Sequence, residues 1–420
     1  MLLGTPFTPV ALRPDPPLSL YHLLDPEVLA DPYPLYDRLR RESPVHWDPY
    51  LRAWVVTRYA DVVDVLERFS AARAPKPEQL EDVDMGELSP VARVMVRQML
   101  FLDPPSHTRV RTLAARAFTP RRVEILRGHI QDATNRLLDD VERRRGAGRG
   151  RRMDAIADLA APLPALVTTA MLGVPGDDWE KLRAWSLDFA GMLGSFQHSP
   201  GRIARVLQSL EEMTGYFRQA VRLQAETPSD GLVNALATAE VGGDRFSEEE
   251  VVANLIVTLV GGLETTANLI GNGLLSLLRN PLQLERLRSD PALISSAVEE
   301  LLRYESPSQH TVRVALEDAE LAGRLISRGQ AVIAVLGAAN RDPAIFPEPD
   351  RLDLGRRDNR HLAFGWAGHF CFGAPLARIE AQIAFGTLLR RLPHLSLEPE
   401  PLVWQENLGL RGLKALPVSF

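Results

Sequence analysis

The sequence predicts a mainly α-helical fold with small β-sheet regions, and three observations carry that expectation. Residues 121–224 repeat apolar positions at helical spacing, with breaks at 146–150, 173–178 and 194–201. Residues 251–278 form a long apolar stretch opened by Ser247-Glu248-Glu249-Glu250, where Ser247 and Glu250 make a capping box and Phe246 and Val251 a hydrophobic staple. Runs of β character are short: 45–47 and 53–57 around Asp48-Pro49-Tyr50, then 312–316 and 331–336.

Taken along the chain, residues 27–42 alternate apolar and charged positions at helical spacing after a proline-rich lead. The runs at 45–57 read as a hairpin, followed by a helix over 59–69. Residues 71–92, rich in proline and acid, predict a long loop with room for one short helix, and loops of that length in compact domains are usually functional. Asp103-Pro104-Pro105-Ser106-His107-Thr108-Arg109-Val110-Arg111 begins a helix with His107 and Arg111 four apart on one face. The stretch at 251–278 carries Asn254, Thr258, Glu264, Thr265, Thr266, Asn268 and Asn272, which would be costly against lipid, so it reads as a buried helix and not a membrane span. Within it, Gly261-Gly262-Leu263-Glu264-Thr265-Thr266 weakens the backbone ladder twice and offers two hydroxyls that compete for it. The bland reading is a packing notch plus one satisfied carboxylate. Residues 297–304 form a helix in which Glu300 and Arg303, three apart among apolar neighbours, would need further partners if buried. Residues 407–418 read as a terminal hairpin.

Composition narrows the class of protein. A length of 420 residues allows two average domains or one large one, and is ample for a core that encloses a cofactor. Hydrophobic content of 45% and charged content of 24% are ordinary for a soluble globular chain, and a net charge of −6 argues against general nucleic-acid binding. One cysteine excludes an internal disulfide, a four-cysteine zinc site and an iron–sulfur cluster, and fits a reducing cytoplasm. Residues 1–20 lack a basic start and an apolar run and contain five prolines, so no signal peptide or membrane anchor is expected. Only Lys76, Lys181 and Lys414 among the 48 basic residues are lysines, which makes arginine clusters weak signals; residues 143–152 read as a solvated loop.

The cysteine lies in Phe364-Gly365-Trp366-Ala367-Gly368-His369-Phe370-Cys371-Phe372-Gly373-Ala374-Pro375-Leu376-Ala377-Arg378. Gly365, Gly368 and Gly373 let the backbone turn tightly and bring N–H donors close, which a thiolate needs. A helix opens at Ala374-Pro375, placing Cys371 beside its N-terminus, where the dipole favours a thiolate. A lone cysteine is usually a small buried apolar residue. These neighbours point instead to a ligand.

Phe-Gly, His two before Cys, Gly two after, then Leu-Ala-Arg resembles the haem-binding loop of the cytochrome P-450 superfamily, with one departure: Ala367 stands where the family usually has glycine. The resemblance runs from about residue 25 to the end. It implies the cytochrome P-450 fold, a triangular helical prism enclosing haem b (iron protoporphyrin IX), as a single domain over 1–420. Residues 1–24 would be an irregular lead, 71–100 and 189–201 substrate-access loops, and 364–380 the haem-ligand loop and following helix. Cys371 would be the iron ligand, with Gly261, Phe364, Gly365 and Gly373 around the haem and His107, Arg111, Arg313 and His369 on its propionates. Glu264 and Thr265 would relay protons to dioxygen at a local widening of the central helix. Glu300, Arg303 and Arg351 would form a structural triad. The substrate site would include Val257, Val260, Gln309 and His310, with Phe189, Phe196 and residues 408–410 nearby.

The implied function is a monooxygenase, hydroxylating or epoxidising a small natural-product or lipid-like molecule that bears a hydrogen-bonding group. No flavin or nicotinamide motif is present, so electrons would come from a ferredoxin and its reductase, docking on a face that includes Arg109, Arg116, Arg121, Arg122 and Arg378. A peroxide-using or rearranging haem-thiolate enzyme usually loses the acid and alcohol pair, which this chain keeps. A non-enzymatic haem sensor would have no use for Glu264 and Thr265, and a cysteine hydrolase would not explain Glu300, Arg303 and Arg351.

Overall fold

The longest helix is built as its first turn dictates. The Ser247 hydroxyl accepts from the Glu250 N–H at 3.2 Å while the Glu250 carboxylate accepts from the Ser247 N–H at 2.9 Å, so two orphan donors are satisfied reciprocally. The helix then runs Glu248–Arg279, 32 residues. It is the one described helix long and apolar enough to cross a membrane, and 67% of its apolar window is buried inside the protein.

The computed structural model describes residues 18–82, 85–145, 152–193 and 200–420. Ten described helices reach ten residues or more. They are α1 (Tyr33–Glu42), α2 (Tyr59–Arg68), α3 (Ser106–Ala117), α4 (Pro120–Arg145), α5 (Pro162–Leu172), α6 (Trp179–Leu193), α7 (Pro200–Glu226), α8 (Glu248–Arg279), α9 (Ile294–Tyr304) and α10 (Ala374–Arg391). The largest sheet has four strands, β1 (Val45–Asp48), β2 (Ala53–Val56), β3 (Thr311–Val314) and β4 (Ala331–Ala334), in the order β1-β2-β4-β3. β2 and β4 run parallel, with Trp54 opposite Val332, and the other pairs are antiparallel. The mainly α architecture with small sheets is therefore as expected.

α8 divides the core. Val251, Leu255, Ile256, Leu259 and Leu263 pack with Phe189, Met213 and Phe217, whereas Leu269, Ile270, Leu274 and Leu277 pack with Ile130, Leu301, Phe385 and Leu388. The segment 261–265 lies where these two clusters meet.

Four expectations need amendment. Residues 71–100 hold two short helices, Pro77–Glu81 and Ser89–Met95, and two 3-10 turns, because Pro77 and Pro90 fall in first turns, where proline is tolerated. The described end of the lead is regular: the Ser19 hydroxyl accepts from the Tyr21 N–H and opens a 3-10 turn over Leu20–Leu24, with Leu20 and Leu23 buried. The C-terminal hairpin spans 403–414, with Trp404 opposite Leu413, while Pro417–Ser419 pairs instead with Arg152–Asp154. Phe189, expected near the lid, is fully buried in the core; residues 194–199, including Phe196, and most of 143–152 lie outside the described residues.

Candidate functional site

The Cys371 loop is held by its own backbone. The Cys371 N–H donates to the Phe364 carbonyl at 2.7 Å, and the Gly365 N–H to Leu362 at 2.8 Å. Gly365 adopts φ +73°, and Ala367 φ +52°. The left-handed turn therefore falls on Ala367 itself, the position where the resembled loop has glycine, and Gly368 does not take it over. The N–H groups of Gly373 and Ala374, at the start of α10, are directed to the sulfur. Cys371 keeps accessible surface, yet burial pushes its thiol pKa up against those donors and against the Arg111 and Arg378 guanidiniums, so the accessible side faces inward. The protein alone does not hold a thiolate here. A coordinated metal ion would, because its charge deprotonates a thiol outright.

Beside this loop gather donors without partners. The His107 and His369 rings lie 4.1 Å apart at 35°. His107 Nε2 and Arg313 Nε are buried with no hydrogen-bond partner among the described residues. Burial, then His107 and Arg313, hold the His369 pKa at about 4, and burial lowers Arg313 to about 10. Arg111 donates to the Phe370 carbonyl at 2.8 Å with its guanidinium 5.6 Å from the Phe372 ring. Orphan donors and cations crowded at one edge, with a thiol facing inward beside them, fit the carboxylate edge and the iron of a haem. A Cβ at Gly373 would stand 4.0 Å from Sγ, an ordinary van der Waals contact, so space at the sulfur does not by itself require glycine there. Sequence reasoning missed Arg73, whose charge is felt by His310, Arg313 and His369; the arginine-rich composition hid it.

On α8, Val257, Gly261 and Thr265 recur every fourth residue and retain accessible surface, whereas Val260 and Glu264 are buried. The Thr265 hydroxyl donates to the Gly261 carbonyl at 2.6 Å, the competition with the ladder that the sequence suggested. The helix nevertheless continues unbroken through this turn. Burial raises the Glu264 pKa, opposed by the charge of Arg183 on α6. Two expected substrate residues are corrected. Val260 belongs to the core one position off the open strip, and Gln309 is consumed structurally: its Oε1 accepts from Tyr36 at 3.0 Å and its Nε2 donates to Ser306 at 2.7 Å. His310 is half-buried, with its pKa at about 4 through burial and then Arg73.

The expected triad has a different third member. Arg303 is wholly buried and binds Glu300 through Nε at 2.8 Å and Nη2 at 2.9 Å. Arg351 turns outward to Glu348, and only its backbone carbonyl reaches Arg303. Arg356 takes the inner place, with Nε 3.1 Å from Glu300 Oε2, joined by Asn359 at 3.2 Å and the Asp353 N–H at 2.9 Å. One strut was not foreseen. Glu299 accepts two hydrogen bonds from Arg378, at 2.7 and 2.8 Å, and a third contact from His361 at 3.1 Å. Burial pushes the Glu299 carboxyl up, but these partners outweigh it and hold the pKa at about 2. Arg378 thereby ties α10 to α9.

Comparison with known proteins agrees with this geometry. The family model described as Cytochrome P450 matches residues 48–409. The chain is 38% identical over 401 residues to the Biotin biosynthesis cytochrome P450 of Bacillus subtilis, covering 94% of this chain and 97% of that one. It is 40% identical over 413 residues to the Cytochrome P450 monooxygenase PikC of Streptomyces venezuelae, covering 96% and 95%. The solved structure of P450BioI in complex with hexadec-9Z-enoic acid ligated acyl carrier protein superposes with a TM-score of 0.87 at 38% identity, over 94% of this chain and all of that one. Matched by the family model over most of its length and by such relatives over nearly all of it, the chain belongs to the cytochrome P450 family of haem-thiolate oxygenases.

Proposed function

We propose that this protein inserts one atom of dioxygen into a natural-product or lipid-like molecule, with haem b as cofactor and Cys371 as the iron ligand. When bound, a thiolate-ligated haem would supply the oxidising chemistry, since thiolate ligation favours O–O cleavage. His107, His369, Arg111 and Arg313 hold the propionates. Phe364, Gly365, Gly373 and Gly261 would shape the space that the cofactor occupies.

The observation that carries the reaction type is the acid beside the alcohol on α8. Glu264, its carboxyl raised by burial, holds a proton more readily than a surface glutamate, and Thr265 presents a hydroxyl pinned on the Gly261 carbonyl. Together they deliver protons to the oxygen site while Val257 and the bare Gly261 leave room for it. His310, neutral at pH 7, is the group that meets a polar atom of the substrate. Electrons come from separate proteins, a ferredoxin and its reductase. Of the five arginines expected to dock them, Arg109 pairs with Asp244 and Glu250, Arg122 with the Asp230 carbonyl and Arg378 with Glu299, so the docking role narrows to the exposed Arg116 and Arg121.

The substrate class draws on named relatives in biotin and polyketide biosynthesis. The relative solved with an acyl-loaded carrier protein makes carrier-bound acyl chains worth testing beside free ones. Thr265→Ala is the test. It should keep haem while product formed per electron consumed falls several-fold and hydrogen peroxide rises; undiminished product yield would overturn the proton-delivery role.

A further inference from the structure

The segment 71–100 is pinned at its start beside the haem-edge cluster, and its far end closes back on that start. The Ser70 N–H donates to the Val314 carbonyl at 2.9 Å and the Val314 N–H returns to Ser70 at 3.0 Å, pinning the segment to β3 one residue from Arg313. Asp103, at the far end, accepts from the Ser70 hydroxyl and, at 2.9 Å, from the Ala71 N–H. Inside this clasp the Arg73 guanidinium lies 4.6 Å from the Phe101 ring centroid, which fixes its plane. Its Nη1 reaches only the Ala71 and Leu100 carbonyls, at 3.3 and 3.5 Å. Its Nε and Nη2 donate to no described residue.

The Ser70–Val314 pairing brings Arg73 within range of the Arg313 charge, and burial lowers both, Arg73 to about 9 and Arg313 to about 10. Among the described residues, the carboxylate whose charge Arg313 and His369 feel is Asp103, and it is already engaged with Ser70 and Ala71. Arg313 is buried and Arg73 half-buried, and two such cations with free donors are stabilised by an anion between them. We propose that Arg73 is a further arm of the propionate cradle, its free fork gripping the same carboxylate edge as Arg313 and His369 and so tying the substrate-access segment to the cofactor. Arginine suits this role because its planar fork meets a carboxylate through two donors. A substrate carboxylate is the rival occupant, but it would have to displace the group that Arg313 and His369 also face.

The inference rests on the haem b reading, which the wild-type protein tests by itself: a purified protein without protoporphyrin IX sinks that reading before any variant is compared. The holoenzymes of wild type, Arg73→Gln and Arg73→Lys are mixed with excess apomyoglobin and haem transfer is timed in the ferric, substrate-free state. Loss of a charge-assisted contact should speed transfer from Arg73→Gln about tenfold or more, with Arg73→Lys between it and wild type, and limited proteolysis within 71–100 should rise in the same order. Arg73→Lys alone decides the matter if the glutamine variant does not fold. Wild-type transfer rates in both variants would overturn the proposal, and weakened binding of carboxylate ligands with unchanged binding of their amides would assign Arg73 to the substrate instead.

Discussion

Ala367 holds a backbone conformation, φ +52°, that costs an L-residue about 1–2 kcal/mol and glycine almost nothing. Ala367→Gly should therefore raise the unfolding midpoint by the equivalent of about 1 kcal/mol without changing the haem spectrum; a lowered midpoint would place the strain elsewhere. The Glu300 cluster separates two arginines that look alike in sequence. Arg356→Ala removes a buried charge-assisted hydrogen bond and should cost about 1.5–3 kcal/mol. Arg351→Ala breaks only the exposed pair with Glu348 and should cost under about 1 kcal/mol. Urea denaturation of the two variants decides between them, and the reverse order would restore Arg351. The sequence could not separate them because both lie in one loop, five residues apart, and spacing along an irregular segment does not say which guanidinium turns inward. Cys371, Glu264 and Thr265 were legible because their neighbours sit at fixed offsets on a tight loop and a helix. Val260 was misplaced because one residue of rotation moves a side chain from the open strip of α8 into the core, and Gln309 because its bond to Tyr36 joins residues that sequence spacing does not bring together.

At the scale of elements, α8 and α10 approach closely at a residue without a side chain. A Cβ on Gly273 would stand 2.6 Å from Phe385 Cζ and 3.2 Å from Leu301 Cδ1. Gly273→Ala should improve local helix propensity and still destabilise the fold by about 1–3 kcal/mol through overpacking, which thermal unfolding would register; a gain in stability would mean that the Phe385 ring yields. This glycine passed unremarked in the sequence because only a packed neighbour makes it necessary. The start of α8 was plain, as Ser247 and Glu250 satisfy each other locally. The short helices within 71–100 were not, since prolines that open first turns read equally well as breakers.

Across the whole molecule, α8 joins two apolar clusters, and the proposed oxygen site lies at their seam. One buried acid on the same scaffold should shape global stability. Glu380 on α10 is fully buried, burial pushes its carboxyl from 4.5 up to about 8, and its Oε2 has no described hydrogen-bond partner. The folded state keeps a proton that the unfolded chain releases above its ordinary pKa, so stability present below about pH 4.5 should fall as pH rises toward about 8 and then level off. Glu380→Gln should flatten that slope, which amounts to about 1.4 kcal/mol per pH unit at most; an unchanged slope in urea midpoints against pH would show that Glu380 is not its source. The mainly α class followed from periodicity, whereas the candidate site rested on the resemblance carried by one loop and one helix. The central claim is that the Cys371 sulfur binds haem iron, and the reduced, carbon monoxide-treated absorption spectrum tests it most directly. The wild-type protein should give the strongly red-shifted Soret band of thiolate ligation and Cys371→Ser should lose it; a wild-type protein without that band, or a serine variant that retains it, would contradict the account.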